Sequence, residues 1–214
     1  MSDLQDDSQD KQQPADDDKN SRHQKRMERK KAIIDDKIKQ ADIERGITIL
    51  IKGNGKGKSS SAFGMVARSV GHGMKVGVVQ FIKGKWQCGE QLMFTDHPQV
   101  EFAVMGTGFT WDTQDRQADI DAAVSTWIHA ERMLADPTIE LVVLDEITYM
   151  YQYGYLPLEK LLTALEQRPA NQHVVITGRA AHADLEAVCD TVSEIKDVAH
   201  AFRAGVKAQK GVDW

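Results

Sequence analysis

The chemistry-bearing stretch is Gly53-Asn54-Gly55-Lys56-Gly57-Lys58-Ser59-Ser60. Glycines let backbone N–H groups turn inward and approach an anion closely. An apolar run, Ile47-Thr48-Ile49-Leu50-Ile51, precedes the loop and reads as a buried strand. Residues 60–70 after it read as a helix, which aims its unpaired N–H groups and positive dipole end at the same point. Strand, glycine loop, Lys-Ser and helix are the parts of a phosphate-binding loop. Lys58 would place a full charge on phosphate, and the Ser59 hydroxyl would ligate Mg²⁺. The spacing departs from G-x-x-x-x-G-K-[ST]: Lys52 occupies the first glycine position, and the loop holds a second lysine, Lys56.

Other residues could join this chemistry. Asp145 and Glu146 end the apolar run Ile139-Glu140-Leu141-Val142-Val143-Leu144, where acidic residues can hold Mg²⁺ beside bound phosphates. The spacing does not say which carboxylate lies nearer the ion. Phe109 and Trp111 sit in the glycine-containing stretch 106–112, outside any helical period. They either anchor a loop or offer a flat apolar surface to a flat ligand. The alternating Tyr149, Tyr151, Tyr153 and Tyr155 pose the same choice, and Arg179 is either solvated or set beside a phosphate or carboxylate. No G-x-S-x-G elbow or C-x-x-C pair occurs, and the seven histidines are scattered. Either water or a hydroxyl attacks a bound nucleotide, or a second substrate brings its own nucleophile.

These residues need a scaffold. With 214 residues, 41% of them hydrophobic, the chain can build one α/β domain. A net charge of -5 gives no reason to expect a nucleic-acid partner. Cys88 and Cys189 are far apart, which suits a reducing cytosol and argues against a disulfide framework or structural zinc. The polar, acidic start is no signal peptide, and no apolar run approaches the ~20 residues of a membrane span, so a cytoplasmic protein without a membrane partner is expected. Residues 1–20, acidic and almost without apolar side chains, are expected to be disordered. Residues 21–45 turn basic and carry a narrow helical stripe of Met27, Ile34, Ile38 and Ala41, an N-terminal arm before the domain at 46–214.

Within that domain, strands are expected at 75–83, 100–105, 139–144, 173–177 and 191–195. Helices are expected at 90–94, up to Ala135, at 157–167 and at 184–189. The alternation predicts a doubly wound, mostly parallel sheet. Ligands of such sheets bind beyond the carboxyl ends of the strands, where the glycine loop, 106–112, Asp145-Glu146 and Gly178 all fall.

Taken together, GNGKGKSSSAFG, VGHGMKVGVVQFIKG, MGTGFTWDT, LVVLDEITYM, YLPLE, VVITGR, DTVSEI and AFRAGVKAQKGVDW resemble the P-loop type ATP:corrinoid adenosyltransferases of the cobalamin pathway. The resemblance runs from about His23 to the C-terminus. It implies a P-loop NTPase-like fold and a reaction in which a Co(I) corrinoid attacks the 5′ carbon of ATP and triphosphate leaves. Co(I) would then be the missing nucleophile. It further implies that Asn54, Gly55, Lys56, Gly57, Lys58, Ser59 and Ser60 hold the triphosphate, and that Ser59 and Glu146, with Asp145, hold Mg²⁺. Phe109 and Trp111 would lie against the corrin ring and crowd out its lower axial ligand. Arg22, His23, Arg26 and Lys30 would belong to a lid, in a homodimer over the neighbouring subunit's site. A reduced flavoprotein is the implied electron donor. The family loop usually reads GKTT where this chain has Gly57-Lys58-Ser59-Ser60; serine keeps the hydroxyl. Lys52 would add positive charge near the phosphates. The rival readings are a P-loop phosphotransferase or NTPase that cleaves the γ-phosphate, and a nucleotide-dependent binding module.

Overall fold

The computed structural model describes residues 13–82, 87–106 and 115–214, with side chains from Lys19 onward. The chain divides into two compact units, Met1–Glu44 and Arg45–Trp214. The first contains helix α1, Gln13–Gln40. It begins upstream of the expected start at Ser21 and takes in the acidic stretch at 16–18; negative residues favour a helix N-terminus. Met27, Ile34 and Ile38 form the expected stripe and are exposed, at 49%, 54% and 65%. Gln24 to Glu28 and Gln40 to Asp36 are hydrogen bonds between successive turns.

The second unit is built on six strands in the order β3-β2-β4-β5-β1-β6, all neighbours parallel. In sequence they are β1 Thr48–Lys52, β2 Val76–Gln80, β3 Val100–Val104, β4 Leu141–Asp145, β5 His173–Thr177 and β6 Thr191–Glu194. The helices are α2 Lys58–Gly71, α3 Gly89–Phe94, α4 Arg116–Ala135, α5 Thr148–Gln152, α6 Leu158–Gln167 and α7 Ala183–Val188, with a 3₁₀ turn at Ala201–Ala204.

Side chains alternate across each strand, and here both faces are covered. Leu50, Val142, Leu144, Val174 and Ile176 pack with Trp127, Ala130 and Met133 of α4 and Leu161 and Leu165 of α6. Their neighbours Ile51, Leu141, Val143 and Val175 point the other way, onto Ala62, Phe63 and Val66 of α2. Phe63 stacks between Phe94 and Phe102, with ring centroids 6.4 and 6.1 Å away. This is the doubly wound sheet that the strand–helix alternation predicts, with strand ends displaced by up to three residues.

The structure decides between the two readings of the alternating tyrosines. Residues 148–152 form α5. Tyr149 is buried in the core, and Tyr151 and Tyr155 pack against it. Tyr155 Oη donates to Asp119 Oδ2 at 3.2 Å, and Arg116 lies 5.5 Å over the Tyr155 ring. Anchoring is therefore what these three rings do.

Strand order sets up the site. β5 lies between β1 and β4, so the ends of these three strands, each followed by a chemistry-bearing residue, meet at the carboxyl edge of the sheet. The opposite end of β1 is pinned by Asp190, which accepts from Arg45 Nη1 at 3.0 Å and from Thr48 N–H at 2.8 Å.

Candidate functional site

The loop between β1 and α2 is held by its own glycines. Gly53 and Gly57 have φ of 113° and 121°, a region that side chains rarely enter. Gly53 N–H donates to Arg179 O at 2.9 Å and Gly55 N–H to Ile195 O at 2.8 Å. A Cβ on Gly55 would stand 2.5 Å from Lys196 O, so only glycine fits against the chain that follows β6. Within α2, Ser61 N–H donates to Gly57 O at 2.9 Å. The N–H groups of Lys58, Ser59 and Ser60 precede that bond and have no acceptor within the helix. No side chain caps this end of α2. The donors and the helix dipole converge on one place, as an anion requires.

Lys58 is 8% exposed, and its ammonium donates to Gly55 O at 2.9 Å. Burial lowers its pKa; the nearby Glu146 carboxylate opposes that, while Arg179 and Lys56 reinforce it.

Asp145, at the end of β4, is 2% exposed. Its Oδ1 accepts from Thr177 Oγ1 at 2.7 Å and its Oδ2 from Gln80 Nε2 at 3.2 Å. The Ser59 hydroxyl lies near this carboxylate and favours its charged form. Burial pushes the Asp145 carboxyl up, and these hydrogen bonds pull it back.

Glu146 stands at φ 61°, the one non-glycine residue with positive φ among those described. Its N–H donates to Thr177 Oγ1 at 2.8 Å. Its carboxyl is pushed up to about 7, first by burial and then by Asp145, against the pull of Lys58 and Arg179. A strained backbone thus holds a perturbed carboxyl at the sheet edge, the combination that active sites collect.

Among the described residues no three His, Cys, Asp or Glu side chains gather at one point. A resident cation would therefore take Ser59 Oγ and carboxylate oxygen from the protein and fill its other positions with phosphate oxygen and water. Such a hard-oxygen set suits Mg²⁺, which keeps several waters, so the residues present fit that ion.

The structure thus gathers Lys58, Ser59, Asp145 and Glu146. It adds Arg179, which sequence left between two readings: its guanidinium acts electrostatically on Glu146, Lys58 and Tyr149. It also adds Thr177, whose hydroxyl serves both Asp145 and Glu146 and whose only sequence signal is a polar residue closing an apolar strand. Asn54 and Ser60 are exposed on the loop and at the start of α2.

Two lysines of this region are ion-paired. Lys52 is ion-paired with Glu186 of α7, so its charge is neutralised rather than added to the phosphate site. Lys56 Nζ lies 2.6 Å from Asp213 Oδ1, close to the C-terminus. Phe109 and Trp111 lie outside the described residues. The stretch that carries them joins the end of β3 to α4, whose first N–H groups are capped by Asp115. Arg22, His23, Arg26 and Lys30 are exposed on α1, in the other unit; the first, third and last are four residues apart and share one helix face.

The sequence model of the family described as ATP:corrinoid adenosyltransferase BtuR/CobO/CobP matches residues 44–214. A corrinoid adenosyltransferase of Pseudomonas aeruginosa is 57% identical over 197 residues, covering 92% of this chain and 97% of its own. That of Salmonella typhimurium is 55% identical over 193 residues, covering 90% and 98%. One from Sinorhizobium is 40% identical, covering 91% and 92%. A match across the whole α/β unit, with relatives similar over nearly their full length, leads to one conclusion: the chain belongs to the ATP:corrinoid adenosyltransferase BtuR/CobO/CobP family.

Proposed function

We propose that the protein transfers the 5′-deoxyadenosyl group of ATP to the Co(I) of a reduced corrinoid and releases triphosphate, a step in making or salvaging adenosylcobalamin. The observation that carries this reading is 55–57% identity to corrinoid adenosyltransferases over at least 90% of the chain. The site supports it: an anion cradle stands beside paired carboxylates, and the described residues offer no nucleophile–base pair of their own.

The chemistry then divides simply. The electron pair of Co(I) forms the Co–C bond at C5′. The C5′–O bond breaks, and its electrons leave with triphosphate. No proton is transferred, so the protein needs no general base. Its work is positioning and charge stabilisation. The N–H groups of 54–60 and the Lys58 ammonium hold the triphosphate in this account, with Arg179 beside them. Charge grows on the leaving triphosphate, and donors already aimed at it act most strongly where water is excluded. Ser59, Asp145 and Glu146 would hold Mg²⁺, which when bound neutralises part of that charge. Asp145 lies near the Ser59 hydroxyl, and Thr177 fixes both carboxylate segments.

Phe109 and Trp111 form, on this reading, the flat apolar surface for the corrin ring. They displace its lower ligand, so cobalt is more easily reduced, and they keep water from a reactive species. The basic face of α1, with Arg22, His23, Arg26 and Lys30, serves as a lid in a homodimer. A reduced flavoprotein supplies the electron, and the enzyme works in the cytoplasm without nucleic acid or membrane partners. No helix among the described residues is long and apolar enough to cross a membrane.

Product analysis tests the reaction class. With ATP, Mg²⁺ and a reduced corrinoid, triphosphate should appear in step with adenosylcorrinoid. ADP and phosphate formed without corrinoid would instead favour a phosphotransferase or NTPase.

A further inference from the structure

Lys56 and Asp213 join the phosphate loop to the last residues of the chain. Lys56 Nζ lies 2.6 Å from Asp213 Oδ1. The carboxylate is itself oriented by a closed turn: Gln209 N–H donates to Asp213 Oδ2 at 2.7 Å, and Asp213 N–H donates to Gln209 O at 2.7 Å. Gly211 N–H donates to Trp214 O at 2.7 Å and tightens the same turn. One residue before Lys56, Gly55 is bound to Ile195 O and pressed against Lys196 O. Two parts of the C-terminal region therefore back the loop.

The loop needs such backing. Lys56 stands between Gly55 and Gly57, the latter at positive φ, so the chain on either side of it rotates easily when untethered. Its ammonium also repels that of Lys58 across the loop. A carboxylate that neutralises one of two neighbouring cations keeps them from splaying. Lys56 and Asp213 side chains are 42% and 27% exposed. An ion pair that wet contributes little to folding. What it can do is restrict the loop before a ligand arrives, which favours binding.

We infer that Asp213 is a positioning residue: through Lys56 it fixes the outer turn of the phosphate loop in the geometry that accepts a triphosphate. The inference rests on the proposed role of the loop in holding ATP. Asp213 acts through Lys56.

Four full-length proteins test this: wild type, Asp213→Asn, Lys56→Ala and the double variant. The readouts are KM for ATP, kcat and thermal stability. Asp213→Asn should raise KM about three- to fivefold, the ratio expected of an exposed ion pair, with kcat within about twofold. Its Tm should move by less than about 4 °C. In the Lys56→Ala background, Asp213→Asn should change KM no further. A wild-type KM in Asp213→Asn, equal KM increases in both backgrounds, or a fall in kcat that tracks a fall in Tm would each overturn the inference. Lys58→Ala separates this failure from that of the underlying reading. Loss of ATP binding in Lys58→Ala with unchanged KM in Asp213→Asn refutes the positioning role alone, whereas unimpaired binding in Lys58→Ala refutes both.

Discussion

Replacing Glu146 by glutamine should make the nucleotide-free protein more stable at high pH. The side chain keeps its shape and its positive-φ backbone; only the charge is removed. In the folded protein this carboxyl holds its proton up to about pH 7, against an ordinary value of 4.5. Between those values the folded state binds more protons than the unfolded one, so stability falls as pH rises from about 4.5 to 7 and is level above. At about 1.4 kcal/mol per pH unit, the loss is on the order of 3 kcal/mol. Glu146→Gln lacks that loss. Wild type and variant, unfolded in urea without nucleotide, should therefore diverge from pH 5 to pH 8 by up to about 3 kcal/mol in favour of the variant. Saturating Mg²⁺ and ATP should close the gap by stabilising the wild-type carboxylate. Parallel stability–pH curves would refute the claim that burial beside Asp145 strains this carboxyl, and with it the case that Glu146 is kept for function at the expense of stability.

Three further outcomes follow from the geometry. A Cβ on Gly178 would stand 1.7 Å from Thr148 Oγ1, so Gly178→Ala must push α5 off β5; denaturation should show a loss of about 1–3 kcal/mol, as for other overpacked sites. Asp190 is held at about 2 by Arg45 and the Thr48 N–H. Its contribution is therefore complete above about pH 4 and lost as pH falls through 2, and Asp190→Asn should cost about 1 kcal/mol at pH 7 but almost nothing at pH 2 in the same measurement. Phe109→Ala and Trp111→Ala should slow reaction with a Co(II) corrinoid that must first lose its lower ligand far more than reaction with prereduced Co(I). Equal losses in the two rate assays would remove the ligand-displacement role.

The strands were legible because a doubly covered parallel sheet writes itself as short apolar runs. Ile139-Glu140-Leu141-Val142-Val143-Leu144 and His173-Val174-Val175-Ile176-Thr177 needed no tertiary information. The glycine loop was legible because its residue types answer to local geometry. What sequence could not give is adjacency. Thr177 and Arg179 reach Asp145, Glu146 and Lys58 only because β5 lies between β1 and β4, and no local pattern encodes that order. The same holds for Lys52 and Lys56, whose ion pairs with Glu186 and Asp213 join residues far apart in sequence. The tyrosines stayed open for another reason: alternation at every second residue fits either an anchor or a surface, and only the fold shows that Tyr149 and Tyr151 sit on a short helix and pack into the core.

The central claim is that a triphosphate held by Lys58 leaves C5′ as Co(I) attacks it. The most direct test mixes cobalamin, ATP and Mg²⁺ under strong anaerobic reduction with wild type and with Lys58→Ala, and follows the loss of Co(I) absorbance. The account predicts rapid loss with wild type, giving a light-sensitive adenosylcorrinoid, and a rate at least about a hundredfold lower with Lys58→Ala. Persistent Co(I) with wild type would contradict the proposed transfer, and equal rates for the two proteins would contradict the role given to the phosphate loop.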